Sequence, residues 1–402
     1  MPDSDFFLGV ELTGTGVHPA SWRRDDSRAE DLFTGGYWVD TVAAAESAGV
    51  DAVFVPDSFG VQQGGAGVAR GVLDAVAIAA RVAARTHGIG LIAQAAVTHT
   101  EPFHLSKAIA SLDFASLGRA GWEVTVSEGA EQAQVFGRKD AQAAAALWHE
   151  ADEAIDVVTR LWDSWEDDAE IRDESTGRFI DRDKLHYIDF VGENFSVKGP
   201  SITPRAPQGL PIIAIRAADA ASTAVAVRHA DLIRVAAADL DAAAARRAAL
   251  RAALAAAGRD PEKVRVLLDI DIHLADTVAA AHDEVAQLDR WADPIATADT
   301  NAPNTLRHLG TPDTLRELIT TLRACATDGI ILRPLAAPAA LRILAIAPLL
   351  GVPTHSGHPA GVRIPTTGAD SSSPGMLRSR LGLARPASRY AQTSTATSEG
   401  TL

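Results

Sequence analysis

Short apolar runs recur along the chain, separated by stretches whose apolar residues fall at helical spacing. The runs at residues 6–12, 52–55, 89–93, 122–126, 211–215, 232–235, 264–274 and 329–332 read as strands. Alanine-rich segments at residues 37–48, 102–116, 145–162, 241–257 and 312–326 carry the helical pattern, and helix propensity alone accounts for their alanines. Eight alternations of this kind predict an α/β protein, a closed (β/α)8 TIM barrel over residues 1–353. Residues 163–208 break the period. They are polar, punctuated by Pro and Gly and too long for an ordinary loop, so they are expected as an insertion after the fourth unit, over the barrel mouth as a lid or dimer element. Residues 354–375 have linker composition, residues 376–390 are expected to dock through Leu377, Leu381 and Leu383, and residues 391–402 read as a disordered tail.

Composition narrows the class of partner. A chain of 402 residues, 47% hydrophobic and 22% charged, can bury a large core, and its net charge of −15 disfavours nucleic acid and anionic membranes. A small-molecule substrate is expected. The single cysteine, Cys325, excludes an internal disulfide framework. The acidic start MPDSDFFLGVEL and the lack of a membrane-length apolar run point to the cytoplasm.

Two strands carry charge where water is scarce. GWEVTVS places Glu123 within an apolar run, where a carboxylate needs a partner. LLDIDIHL alternates apolar residues with Asp269, Asp271 and His273, and period-two geometry puts these three on one face, expected to line the barrel interior. Such a set suits acid/base chemistry or a divalent cation, but no HxH, HExxH or CxxC spacing supports a metal, and none is assigned. His99 and His104 flank a helix start and read as structural; His355 and His358 fall in the linker. Fragments such as Gly14-Thr15-Gly16 lack the context of a dinucleotide fingerprint.

Several blocks bear a family likeness: VDAVFVPDS at 50–58, EPFHLSKAIASLDFASLGRAGW at 101–122, LWDSWEDDA at 161–169, GENFSVKGP with PRAPQG within 176–213, GRDPEKVRVL at 258–267 and LRSRLGLARP at 377–386. With these the chain resembles the bacterial luciferase-like flavin-dependent monooxygenases, in particular the two-component subgroup containing nitrilotriacetate and dibenzothiophene-sulfone monooxygenases. The resemblance implies a homodimeric barrel that takes reduced FMN, supplied by a separate flavin reductase, at the C-terminal ends of its strands and oxygenates a small organic substrate with O2.

Carried over residue by residue, the likeness assigns flavin contact to Asp57, and to Gln94 or a near neighbour where the family has Thr. The family's His and Tyr on the phosphate side become Ala144 and Trp148, and Glu123 replaces an uncharged amide. The phosphate turn after the fifth strand reads Ile215-Arg216-Ala217-Ala218-Asp219, so Ala218 and Asp219 fall where phosphate would sit, and Asp219 there would cap the next helix. Arg216 and Arg234 are new cations. They either form a replacement phosphate clamp or pair with carboxylates, Arg216 with Asp219 and Arg234 with Glu123. Three functions stay open: an FMN-dependent monooxygenase, a flavin-free barrel acting as partner or binding subunit, and a hydrolase or lyase using Glu123, Asp271 and His273 as acid/base groups or with a metal.

Overall fold

The computed structural model describes residues 6–60, 71–292, 305–325, 327–346 and 375–390; the linker span 354–374 and the tail 391–402 lie outside them. In chain order the strands are β1 (Phe7–Glu11), β2 (Ala52–Val55), β3 (Gly90–Ala96) and β4 (Ala120–Thr125), then two small hairpins, β5 (Glu170–Asp173) with β6 (Arg178–Ile180) and β7 (Phe190–Val191) with β8 (Ser196–Val197). There follow β9 (Ile212–Arg216), β10 (Leu232–Val235), β11 (Arg265–Leu274), β12 (Leu306–Gly310) and β13 (Gly329–Pro334). Strands β1 to β4, β9 to β11 and β13 close as a parallel barrel, with β10 on β11, β11 on β13, and β13 back on β1.

All eight apolar runs thus become barrel strands. The unforeseen strand is β12, which pairs with the upper half of β11 from Ile270 to Leu274 while β10 takes the lower half. Its sequence LRHLG is half-buried at four of five positions, so no apolar run or alternation marks it, and its pairing with β11 makes it a strand.

The outer helices are α1 (Gly35–Ser47), α2 (Ala75–Ala83), α3 (Pro102–Ala115), α4 (Ala130–Phe136), α5 (Ala144–Asp163), α6 (Ala220–His229), α7 (Leu240–Ala256), α8 (Val278–Trp291), α9 (Pro312–Cys325) and α10 (Ala337–Ile346). Asp219, Asp239 and Thr277 start α6, α7 and α8 by accepting a backbone N–H three residues on, each such cap contributing about 1 kcal/mol.

Side chains alternate in and out of the barrel, and the inward set is sorted by height. Low in the barrel, Phe7, Ala52, Phe54, Ile92, Ile212, Ala214, Leu232, Leu267 and Ile331 form an apolar cluster. Two residues further along their strands, Gln94, Arg216, Arg234, Asp269 and Arg333 take the inward positions, joined on β1 by Glu11, four residues past Phe7. Leu377 on the short helix α11 (Leu377–Arg380) and Leu381 complete the apolar cluster from below. A Cβ on Gly90 would meet both Ala52 Cβ and Leu377 Cδ1 at 2.9 Å, so only glycine admits this plug. Arg378 fastens it, donating to Asp231 Oδ2 at 2.9 Å and to the Leu210 carbonyl at 3.0 Å.

The insertion does not cover the mouth. It leaves the end of α5 and returns at the start of β9, and in a β/α barrel both lie at the N-terminal end of the strands. Gln208 is tied there to Asp113 at 2.6 Å and to the carbonyl of Ala120, the first residue of β4, at 2.8 Å. Arg205 reaches Asp163 at 3.0 Å and the Pro386 carbonyl at 2.7 Å. From this base the β7–β8 hairpin lies on the outer flank, where Ile188, Phe190 and Val197 pack on Val157 and Leu161 of α5. Trp162 and Trp165 are buried within the chain, donating to the Ser106 and Ser201 carbonyls at 2.9 and 2.7 Å. The physical reason is connectivity, because an αβ connection starts and ends on the face opposite the mouth.

Candidate active site

Inside the upper barrel, four carboxylates and three guanidinium groups form one layer. Arg234, fully buried, meets three acids: Nε on Asp269 at 3.0 Å, Nη1 on both Glu123 oxygens at 2.9 and 3.0 Å, and Nη2 on Glu11 at 2.5 Å and Asp269 at 2.9 Å. Its guanidinium also lies over the Phe54 ring, 5.0 Å from the centroid. Arg216 reaches Glu11 at 2.9 Å and Asp269 at 3.3 Å, and Arg333 reaches Glu11 at 3.3 Å and Asp271 at 3.0 Å. Burial pushes Glu11 up, but Arg234, Arg216 and Arg333 together outweigh it and hold the carboxyl well below its usual range. Burial wins at Glu123 and at Asp271, whose pKa values are raised despite the nearby arginines. Arg234 stays charged, the three acids offsetting its desolvation.

The expected pairing of Arg234 with Glu123 is therefore present, and that of Arg216 with Asp219 is not. Arg216 turns inward to Glu11 and Asp269, while Asp219 caps α6 through Ser222 N at 2.8 Å. His273 also departs from its strand-mates: Nε2 meets Glu284 of α8 at 2.9 Å, and burial lowers its pKa. Asp269, Asp271 and His273 share a strand face without forming a shared acid/base unit. Among the described residues no three His, Cys, Asp or Glu side chains converge as a metal site.

A cavity of about 650 Å³ opens elsewhere at the mouth, over the segments that follow β1, β2 and β4 and beside Gln94 of β3. Leu12, Leu32, Trp38 and Ile78 supply apolar wall, and Phe33, Val72 and Leu73 stand exposed at its edge. Its volume is that of an ordinary cofactor or substrate pocket. Asp57 and Gln94 meet on it, the Gln94 Oε1 accepting the Asp57 N–H at 2.8 Å. That bond fixes the amide's orientation and leaves its NH2 as a donor. The Asp57 carboxylate accepts from Ser58 N at 2.7 Å and from Ala75 N, at the start of α2, at 3.0 Å, while burial raises its pKa. His18 lines the cavity as a neutral imidazole: burial lowers its pKa, Nδ1 accepts from Ala20 N and Nε2 donates to Asp289.

Of the residues singled out in the sequence, Asp57 and Gln94 thus share a cavity wall. Arg216, Arg234, Glu123 and Asp271 share the ionic layer. Trp148 is buried near the start of α5, and Ala218 and Asp219 lie at the start of α6. Sequence reasoning missed Glu11, Arg333 and the cavity residues Thr13, Thr15, His18, Phe33 and Trp38. Glu11 was within reach, since it continues the inward alternation of Phe7 and Gly9 in FLGVE.

For FMN, the cavity suits a ring system, and the α6 turn does not suit a phosphate. A planar ring system matches the cavity's size, apolar wall and amide donor. The phosphate finds no cradle at α6: Ser222 Oγ accepts Ala218 N at 3.1 Å and Asp219 N at 2.9 Å, and the Asp219 carboxylate accepts Ser222 N. Helix α5 opens on exposed alanines, Ala144 among them, with no side-chain donor.

A parallel eight-stranded barrel with a cavity over its C-terminal strand ends is the architecture of a large class of enzymes. Within that class, residues 15–324 match the family of luciferase-like monooxygenases, and the chain belongs to it. N-acetyl-S-(2-succino)cysteine monooxygenase of Bacillus subtilis (strain 168) is 35% identical over 281 residues, 70% of this chain and 64% of that protein. Nitrilotriacetate monooxygenase component A of Aminobacter aminovorans is 32% identical over 286 residues, 68% of this chain and 63% of that protein. The chain thus spans less than two thirds of the length of either relative. Among solved structures, DmoA from Hyphomicrobium sulfonivorans superposes with a TM-score of 0.80 at 21% identity, covering 98% of this chain and 96% of its own, a likeness of fold.

Proposed function

We propose that the protein is a flavin-dependent monooxygenase that acts with O2 on a small, largely apolar organic substrate, using reduced flavin from a separate reductase. The observation that supports this most is the 650 Å³ cavity over the strand ends, apolar in its walls, with the Gln94 amide held in place by Asp57. In this reading Gln94 orients a ligand's polar edge, Trp38, Leu12 and Ile78 keep water from the buried side, and Phe33, Val72 and Leu73 meet the substrate at the entrance. FMN is the cofactor that family membership suggests; the ring fits, and no step is assigned to the phosphate. Among the described residues no helix is long and apolar enough to cross a membrane, and a cytoplasmic homodimer belongs to the same reading.

The acid/base reading is weaker, because Glu123 and Asp271 face arginines and His273 faces Glu284. The test is anaerobic titration of the full chain with reduced flavin, followed by O2 uptake with a reductase across a panel of apolar sulfur and nitrogen compounds. Saturable flavin binding and substrate-dependent O2 uptake are expected. Absence of binding at millimolar flavin rejects the reading and leaves the flavin-free barrel.

A further inference from the structure

We infer that the cavity recognises flavin through its ring system and not through a terminal phosphate, so that riboflavin and FMN bind alike. This rests on the flavin-monooxygenase reading above and sharpens its cofactor class. The two flavins differ by one phosphate, and discrimination requires cations or unspent N–H groups where that phosphate would lie. Among the described residues both are already spent: Arg246, the guanidinium beside the start of α6, donates to the carbonyls of Ala236 and Ala217 at 2.9 and 3.3 Å. Among the described residues the cavity wall contains no Lys or Arg, while Asp57 and Glu128 lie on it and His18 is neutral with both nitrogens engaged.

The start of α6 is closed in the same sense. Its capping box consumes the amides of Ala218, Asp219 and Ser222, and it places a carboxylate where an anion would need a positive field. The cations of the neighbouring strands are drawn away from the mouth. Arg234 is fully buried among Glu11, Glu123 and Asp269, and Arg216 is turned onto Glu11 and Asp269. The polar groups that remain suit an uncharged heterocycle.

The experiment is a side-by-side titration of the full-length protein with oxidised and reduced FMN and riboflavin, followed by fluorescence and calorimetry. Riboflavin binding within fivefold of FMN, or tighter, is the expected result. FMN binding more than fivefold tighter overturns the inference and leaves the monooxygenase reading standing. Failure of both flavins overturns the two together. The Asp219→Ser variant provides a second readout, since serine still caps the helix but removes the charge. FMN affinity should rise at least fivefold while riboflavin affinity stays within twofold. An unchanged FMN affinity, in a variant whose melting curve matches the parent, removes Asp219 as the group that excludes phosphate.

Discussion

The ionic layer inside the barrel and the cavity at its mouth belong to the same barrel and follow opposite rules. In the layer, charge is dense and spent: Arg234 meets three acids, and Glu11 alone meets three arginines. On the cavity, the charges among the described residues are the carboxylates Asp57, Glu128 and Glu131, and Gln94 keeps donors to offer a ligand. Buried ionisable residues on a strand are thus a poor guide to a working site until their partners are counted. A carboxylate that is already paired costs a great deal to redirect, because its partner would be left buried and uncompensated.

That contrast can be broken most forcefully at Arg234. Arg234→Leu leaves Glu11, Glu123 and Asp269 without their shared cation and should destabilise the fold by about 3–5 kcal/mol, read from urea denaturation. A loss below about 1 kcal/mol would show that the layer is not held by charge. Leu377→Ala tests the opposite end of the same interior. It removes a fully buried side chain from the apolar cluster and should cost about 2–4 kcal/mol, with flavin affinity unchanged.

A pH effect of intermediate size belongs to Asp113, whose pKa burial raises to about 6, against hydrogen bonds from Gln208 and Ala120. Because the folded state holds this proton more tightly than the unfolded chain, its contribution is fully present below about pH 4. It is lost as pH rises through 6, a span of about 2–3 kcal/mol. Subtracting the Asp113→Asn stability profile between pH 4 and 7 should isolate that falling slope; a flat difference contradicts it. Glu11 works in the other direction, stabilising above the unfolded carboxylate range and losing that contribution only in strong acid. The smallest stability effect is expected at Gln94→Leu, about 1 kcal/mol for one hydrogen bond to Asp57, accompanied by at least a tenfold loss of flavin affinity. Retained affinity would move the ligand away from this wall.

What the sequence made legible follows what is local. Apolar runs bounded by turns announce strands, so all eight barrel strands could be placed, as could the Arg234–Glu123 pairing once both were seen as buried. β12 escaped because its strand character comes from a neighbour. The insertion's length and position were readable, whereas its side of the barrel is set by whether it follows a strand or a helix, and α5 had to be traced to its end at Asp163. Of the two alternatives for Arg216, pairing with Asp219 was suggested by nearness in sequence, while its actual partners Glu11 and Asp269 are near only across the barrel. The cavity wall was least visible. Thr13, Thr15, His18 and Trp38 sit in or beside loops without periodicity, and only closure of the barrel brings them opposite Gln94.

The plug beneath the barrel has a consequence for the order of folding. Arg380 holds the Asp51 carbonyl across 329 residues of chain, and Leu377 closes on Gly90 and Ala52 from a comparable distance. Contacts of such long range form late, since the loop they close must first be ordered. Until residues 377–381 arrive, the ring made by Phe7, Ile92, Ile212, Leu232 and Leu267 remains open to water from below, a greasy annulus on an otherwise assembled cylinder. A chain stalled or cleaved before that point therefore offers an adhesive surface to chaperones and to other unfinished copies.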